Sequence, residues 1–274
     1  MLSLLALGSS LVWGTSDFFG GLASQKRPAI AVVGWTQALA LVVISVIVAL
    51  RWDTVTFAGW PLWAAAAGVS GMVGLVCFYS ALSSGTMGVV APIASLGVVV
   101  PVVLGVASGE EPSAWAWVGM VTAVVGVTLA SGPEVSGDVS VRPVVLAAAA
   151  AVCFGFTLFS IDRGARSSTL MTLWGMRVTS VTLLIVVALL ARSLGGVTRQ
   201  EIPALLAIGC GDLLANTLFG LASSRGAVSI AAVLGSLYPV VTALLARIIL
   251  GERLRPVQVV GVALAVGGAA VIAL

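Results

Sequence analysis

Apolar residues run along this chain in stretches of roughly twenty, the length a helix needs to cross the hydrocarbon core of a bilayer. Polar residues collect in short clusters between those stretches. Windows of that length place ten spans. Their centres fall near Ser10, Ala40, Gly71, Leu96 and Thr122 in the first half, and near Val152, Thr182, Asp212, Leu237 and Leu264 in the second. The clusters between them include "SQKRP", "RWDTVT", "SSGT", "SGEEP", "DRGARSS", "SSRG" and "LGERLRP". The first apolar run is too long for the core of a signal peptide and no basic residue precedes it, so it reads as the first spanning helix. The pattern predicts an all-α integral membrane protein.

Composition explains why lipid must be the solvent. Of 274 residues, 60% are hydrophobic and only 8% charged, whereas a soluble domain carries about 25% charged residues to meet water. The net charge of +3 is spread over short loops, with no basic patch interleaved with aromatics, so nucleic acid is not expected as a partner. Cys77, Cys153 and Cys210 lie far apart within apolar spans, which suits small core residues and implies neither a disulfide framework nor a zinc site. Histidine is absent. "GTSDFFGG" lacks the Lys-Ser/Thr ending of a phosphate-binding loop and lies inside a span. No nucleophile or metal cluster stands out, so neither enzyme activity nor a cofactor is expected.

The longest polar stretch, residues 131–143, divides the chain nearly in half. Sliding the sequence on itself by 141 positions brings Gly14 onto Gly155, Gly34 onto Gly175, Arg51 onto Arg192, Phe78 onto Phe219, Ser95 onto Ser236 and Leu96 onto Leu237. One residue later in register, Gly109-Glu110 meets Gly251-Glu252. A shared register over all five spans argues for a duplication, with repeats at 1–132 and 143–274 joined by a linker at 133–142. Five spans per repeat is odd, so the second repeat enters the membrane from the opposite side. Inverted repeats of this kind are characteristic of secondary transporters; a duplicated helical scaffold without transport is the plainer alternative.

Two features carry a family resemblance. One is Trp13-Gly14 in the first span. The other is the end of each half, "LYPVVTALLARIILGERLRPVQVVGVALAVGGAAVIAL" from Leu237 and its worn counterpart "SLGVVVPVVLGVASGEEPSAWAWVGMVTAVVGVTLA" from Ser95. With ten spans in two fives, the whole chain resembles the EamA type of the drug/metabolite transporter superfamily. The resemblance implies alternating access, a small-molecule substrate held between the halves near mid-membrane, cytoplasmic termini and a plasma-membrane location. Members of that superfamily move amino acids, nucleotide sugars, sugar phosphates, metabolites and drugs, so the substrate does not follow from it. A monomer is favoured over a dimer, and protons are a candidate co-substrate. The loop charges oppose the implied orientation. Arg51, Arg163, Arg166 and Arg225 lie on the side of the termini, and Lys26, Arg27, Arg142, Arg192, Arg199, Arg247, Arg253 and Arg255 on the other, which the positive-inside rule reads as termini outside.

The mid-span polar residues are the candidate site. Counting about 1.5 Å per helical residue from the side of the termini, Trp13 lies ~17 Å deep, Asp17 ~22 Å, Trp35 ~20 Å, Gln37 ~17 Å and Tyr238 ~18 Å. These five share one level, and Trp13 and Asp17 also share a helix face. Arg177 and Asp212 lie at about 12 and 15 Å by the same rise, which suits an ion pair between adjacent spans, with Asn216 one turn from Asp212. The pair is either a fixed internal bridge or a site where a substrate carboxylate competes for Arg177. Asp17 is a water-reached or hydroxyl-bonded acid, using Thr15 or Ser16, or else a cavity residue that binds a cation or a proton. Trp13, Trp35 and Tyr238 either fill helix interfaces or stack on substrate. Trp60, Trp63, Trp115 and Trp117 sit near span ends and read as interfacial anchors. Glu110 and Glu252 read as caps of helix starts. Pro92, Pro101 and Pro239 interrupt the fourth and ninth spans, which are repeat partners, and mark a gate or hinge.

The expected function is therefore transport of small polar organic metabolites, amino acids or related compounds first, in the export direction. Proton-coupled efflux of cationic drugs is the nearest alternative, and a non-transporting membrane interaction protein the more distant one.

Overall fold

A computed structural model describes residues 1–55, 58–84, 90, 93–131, 141–193, 195–250 and 256–273. The described chain is helical, in the order α1 (Leu2–Lys26), α2 (Ala29–Leu50), α3 (Pro61–Ser84), α4 (Val99–Ala107), α5 (Ala114–Ser131), α6 (Val141–Ala191), α7 (Ile202–Ser223), α8 (Val228–Gly235), α9 (Tyr238–Leu250) and α10 (Pro256–Ala273). A 3-10 turn, Leu96–Val98, precedes α4. Four helices, α2, α3, α6 and α7, are by themselves long and apolar enough to cross a membrane; α1 is as long, at 25 residues, but more polar, and the remaining passes are made of shorter apolar pieces such as Ile93–Ala107 and Val228–Thr242. Pro92, the linker residues 132–140 and the Gly251-Glu252 block lie outside the described residues.

The surface and the interior are exchanged relative to a soluble protein. Leu4, Val42, Leu62, Val121, Leu189 and Ile248 face outward, while Ser9, Gln37, Asp162, Arg177 and Asn216 are buried. With lipid outside, burying apolar groups separates the faces weakly, so close packing and internal hydrogen bonds hold the helices together. Ser9 Oγ on α1 donates to the Ala215 carbonyl on α7 at 2.8 Å, and Thr242 Oγ1 on α9 donates to the Gly14 carbonyl at 3.1 Å.

Two differences from the sequence expectation have clear causes. The "DRGARSS" cluster is helical up to Ser167, because Asp162 and Arg166 pair one turn apart at 3.0 Å and extend the helix. The chain then turns in a single residue: Ser168 alone leaves helical geometry (φ −161°, ψ 110°), dividing the 51 residues of α6 into two limbs. Its hydroxyl accepts the Met171 N–H at 3.3 Å as the cap of the second limb. Trp60 is not an interfacial anchor. It is 5% exposed and packs edge-on against Trp174, ring centres 6.4 Å apart. Trp115 and Trp117 do face outward.

The halves pack on each other more than on themselves. α1 lies along α7, its repeat-related counterpart is α3 along the first limb of α6, and α5 lies along α10. The equivalence reaches single residues. A Cβ on Gly14 would overlap the Tyr238 carbonyl and the Val241 side chain, and one on Gly155 would overlap the Gly97 carbonyl and Val100. Each of the three residues here that belong to the first half, Gly14, Gly97 and Val100, has its partner 141 positions on. The Trp13-Gly14 motif is thus explained: glycine lets the backbone of the broken ninth pass touch α1, as Gly155 does for the broken fourth pass against α6.

Candidate functional site

Both broken passes open onto one cavity at the junction of the halves. The break between α8 and α9, at Ser236 and Leu237, and the 3-10 turn at Leu96–Val98 are repeat equivalents, and Ser95, Gly97, Val98, Gly235, Ser236 and Tyr238 line the cavity there. Interruptions at matched places in two repeats free backbone groups from the helix ladder beside a cavity, which lipid would not tolerate. Seven of the nine lining residues from the first half have their repeat partner in the same cavity: Trp13/Phe154, Asp17/Leu158, Gly71/Asp212, Leu75/Asn216, Ala94/Gly235, Ser95/Ser236 and Gly97/Tyr238. The cavity therefore sits on the axis relating the halves.

Most of the sequence candidates converge on it. Trp13, Asp17, Gln37, Asp212, Asn216 and Tyr238 all line the cavity. Arg177 stands behind them, with its side chain 1% exposed. It binds Asp212 Oδ2 through Nη2 and donates from Nη1 to Gln37 Oε1, which also accepts the Ser180 hydroxyl at 3.0 Å. The other Asp212 oxygen, Oδ1, accepts Trp13 Nε1 at 3.3 Å and Asn216 Nδ2 at 3.0 Å. Arg177, Asp212, Gln37, Asn216 and Trp13 thus form one hydrogen-bonded unit tying α1, α2, the second limb of α6 and α7 together. The ion pair expected between adjacent spans is thus formed, with Asp212 at the cavity surface and Arg177 behind it.

Asp17 stands apart from that unit. It is 8% exposed and lines the cavity. Its hydrogen bond comes from Tyr79 Oη on α3, long at 3.4 Å, and among the described residues it has no ion-pair partner. Neither hydroxyl expected from the sequence serves it; Thr15 instead bonds back to the Leu11 carbonyl. Tyr238 Oη is buried with no hydrogen-bond partner among the described residues. Its ring meets Phe78 edge-on, centres 6.3 Å apart.

Trp35 is not brought to this cavity. It lines a separate lateral groove between α2 and the second limb of α6, with Gly34, Ala38 and Val181. Equal depth does not fix rotation: at about 100° per residue, positions 35 and 37 point to nearly opposite sides of a helix. Pro239 follows the break at the start of α9 and Pro101 lies within α4, neither lining the cavity. Tyr79, Phe154, Leu158 and Ser95 were not among the candidates. For Ser95 a signal existed in its identity with Ser236 across the repeat; for Tyr79 it was a hydroxyl in an otherwise apolar span.

A bundle with apolar outer faces, two equivalent halves and a partly polar cavity on the axis between them is the architecture of a two-repeat membrane carrier. The chain belongs to the EamA-like transporter family, whose model matches residues 1–132 and 141–274. It is accordingly a ten-helix, multi-pass membrane protein that transports small molecules. A solved structure described only as the crystal structure of a protein superposes with a TM-score of 0.80, covering 98% of this chain and 95% of its own at 23% identity, which shows the shared fold. No curated protein matches in sequence.

Proposed function

We propose that this transporter carries small organic molecules bearing a cationic amino group, amino acids and related amines first among them, by alternately exposing the axial cavity to the two sides of the membrane. The carrying observation is the contrast between the two acids. Asp212 has its countercharge in Arg177; Asp17 faces the same cavity with only a long bond from Tyr79. An ionised carboxylate at that depth needs a positive partner, and a substrate ammonium or a proton supplies it. Tyr238 lines the same space, and its buried Oη has no hydrogen-bond partner among the described residues. Pro101 and Pro239, next to the two helix breaks, are the assigned hinges.

The size of the cavity favours a metabolite over a drug. It holds about 80 Å³ of open space. At roughly 10–15 Å³ per water position that is room for some half-dozen waters, well short of the about 300 Å³ at which drug-sized pockets begin. Uptake of labelled amino acids and simple amines into proteoliposomes, with substrate loaded on either side and with or without a pH gradient, tests the reading against Asp17→Asn. A folded Asp17→Asn protein that loses transport supports the anchor, and loss of the pH-gradient effect alone makes Asp17 the proton site. Unchanged transport would remove Asp17 from the mechanism. Export in a plasma membrane is the expected direction and place.

A further inference from the structure

We infer that the substrate is amphipathic and held in one orientation, its amino end against α1, α7 and α9 and an apolar body against α3 and the first limb of α6. The inference rests on the proposed anchor at Asp17 and adds what the opposite wall requires. It comes from how polarity is divided between repeat partners. A duplicated cavity begins with equivalent walls, yet each polar member of an unlike pair stands on the same side. Asp17 faces Leu158 as its counterpart, Asp212 faces Gly71, Asn216 faces Leu75, and Tyr238 faces Gly97. The polar members sit on α1 and on α7 and α9, both of which pack against α1; the apolar members sit chiefly on α3 and α6, which also pack together.

The apolar wall is dry in its chemistry as well as its composition. Its hydroxyl, Thr157 Oγ1, is already engaged by the Cys153 carbonyl at 2.8 Å and by Ser70 Oγ at 2.8 Å, so it offers no free donor. Phe154 and Met176 complete the surface. A hydrophilic substrate would leave its outer polar groups unpaired against this wall, and the unpaired group costs affinity. An aliphatic or aromatic side chain fits it, and burying one is worth roughly ten- to a hundredfold in affinity.

A matched probe series tests the orientation: leucine, 3-methylbutylamine (leucine without its carboxylate), 4-methylpentanoate (leucine without its amine), serine and ethanolamine. Proteoliposome transport and ligand-induced thermal stabilisation of the purified protein are both read. The expected order places leucine and 3-methylbutylamine at least tenfold above serine and ethanolamine, with 4-methylpentanoate inactive. Leu158→Ser is expected to shrink the leucine-over-serine preference about tenfold, comparable to a lost pocket contact. The milder Leu158→Ala serves if the serine variant misfolds. Equal handling of serine and leucine by the native protein overturns the apolar wall and leaves the amine anchor standing. Activity of 4-methylpentanoate that survives Asp17→Asn overturns the anchor and leaves the wall. A native protein that neither binds nor moves any of the five overturns both.

Discussion

The buried unit around Arg177 makes an asymmetric prediction about its two charges. Removing one partner of a buried ion pair typically costs about 3–5 kcal/mol, because the other charge is stranded. Here the stranding differs. Without Asp212, Arg177 remains 1% exposed and keeps, among the described residues, the neutral Gln37 as its side-chain acceptor, with Nε already unpartnered. Asp212→Asn therefore falls at the upper end, about 3–5 kcal/mol. Without Arg177, the Asp212 side chain is still 17% exposed to the cavity and still accepts from Trp13 and Asn216. Arg177→Met therefore loses mainly one charged hydrogen bond, about 1–3 kcal/mol. In the double variant no unpaired charge remains, so it should be no worse than Asp212→Asn alone, a coupling of roughly 2 kcal/mol or more. The four proteins, compared by unfolding in one detergent at constant pH, give the cycle. The reasoning fails if Arg177→Met is the more damaging single change, or if the double variant equals the sum of the singles. Losses of this size are a large share of a total stability of about 5–15 kcal/mol.

Two further outcomes follow from contacts near the membrane surfaces. Glu110, in the loop after α4, accepts the Val228 N–H at 2.6 Å and the Ser229 N–H at 3.1 Å at the start of α8, so Glu110→Ala should lower the melting temperature by several degrees and raise labelling of a cysteine placed at Ile230, whereas Glu110→Gln should restore part of the loss; identical labelling in all three would refute a capping role. On the other side, Arg27 pairs with Glu201 at 2.9 Å, and hydrogen bonds from Arg27 and then from Thr198 hold the Glu201 carboxyl at about 2, below its ordinary 4.5. A depressed acid stabilises the fold above its ordinary value and loses that contribution as pH falls from about 4.5 toward 2; melting curves of the native protein and Glu201→Gln should therefore converge over that window, and parallel curves would refute it.

Much of this architecture was legible because hydrophobic length and repeat register survive without any knowledge of contacts. The ten passes, the matched breaks near Leu96 and Leu237, and the pairing of Arg177 with Asp212 follow from depth along each helix. What depth cannot supply is the angle around the axis. Trp35 and Gln37 share a level but point apart, and Thr15 lies two residues from Asp17 yet turns outward. Tyr79 approaches Asp17 from α3, a neighbour fixed by packing between the halves rather than by order along the chain. Trp60 looked like an anchor because span ends are where tryptophan meets headgroups, but the space beside Gly175 is occupied by its ring.

The paired contacts at Gly14 and Gly155 carry a mechanical consequence. Interdigitated side chains act as gear teeth: one helix slides past another only when many rotamers change together. At these two places α1 and α6 present bare glycine backbone, against which the broken ninth and fourth passes lay one carbonyl and one short valine, Val241 or Val100. They are bearings, placed equivalently on either side of the axis, and each lies one residue from a ring that lines the cavity, Trp13 or Phe154. Motion of a broken pass about its bearing is thereby geared directly to the shape of the space the substrate occupies.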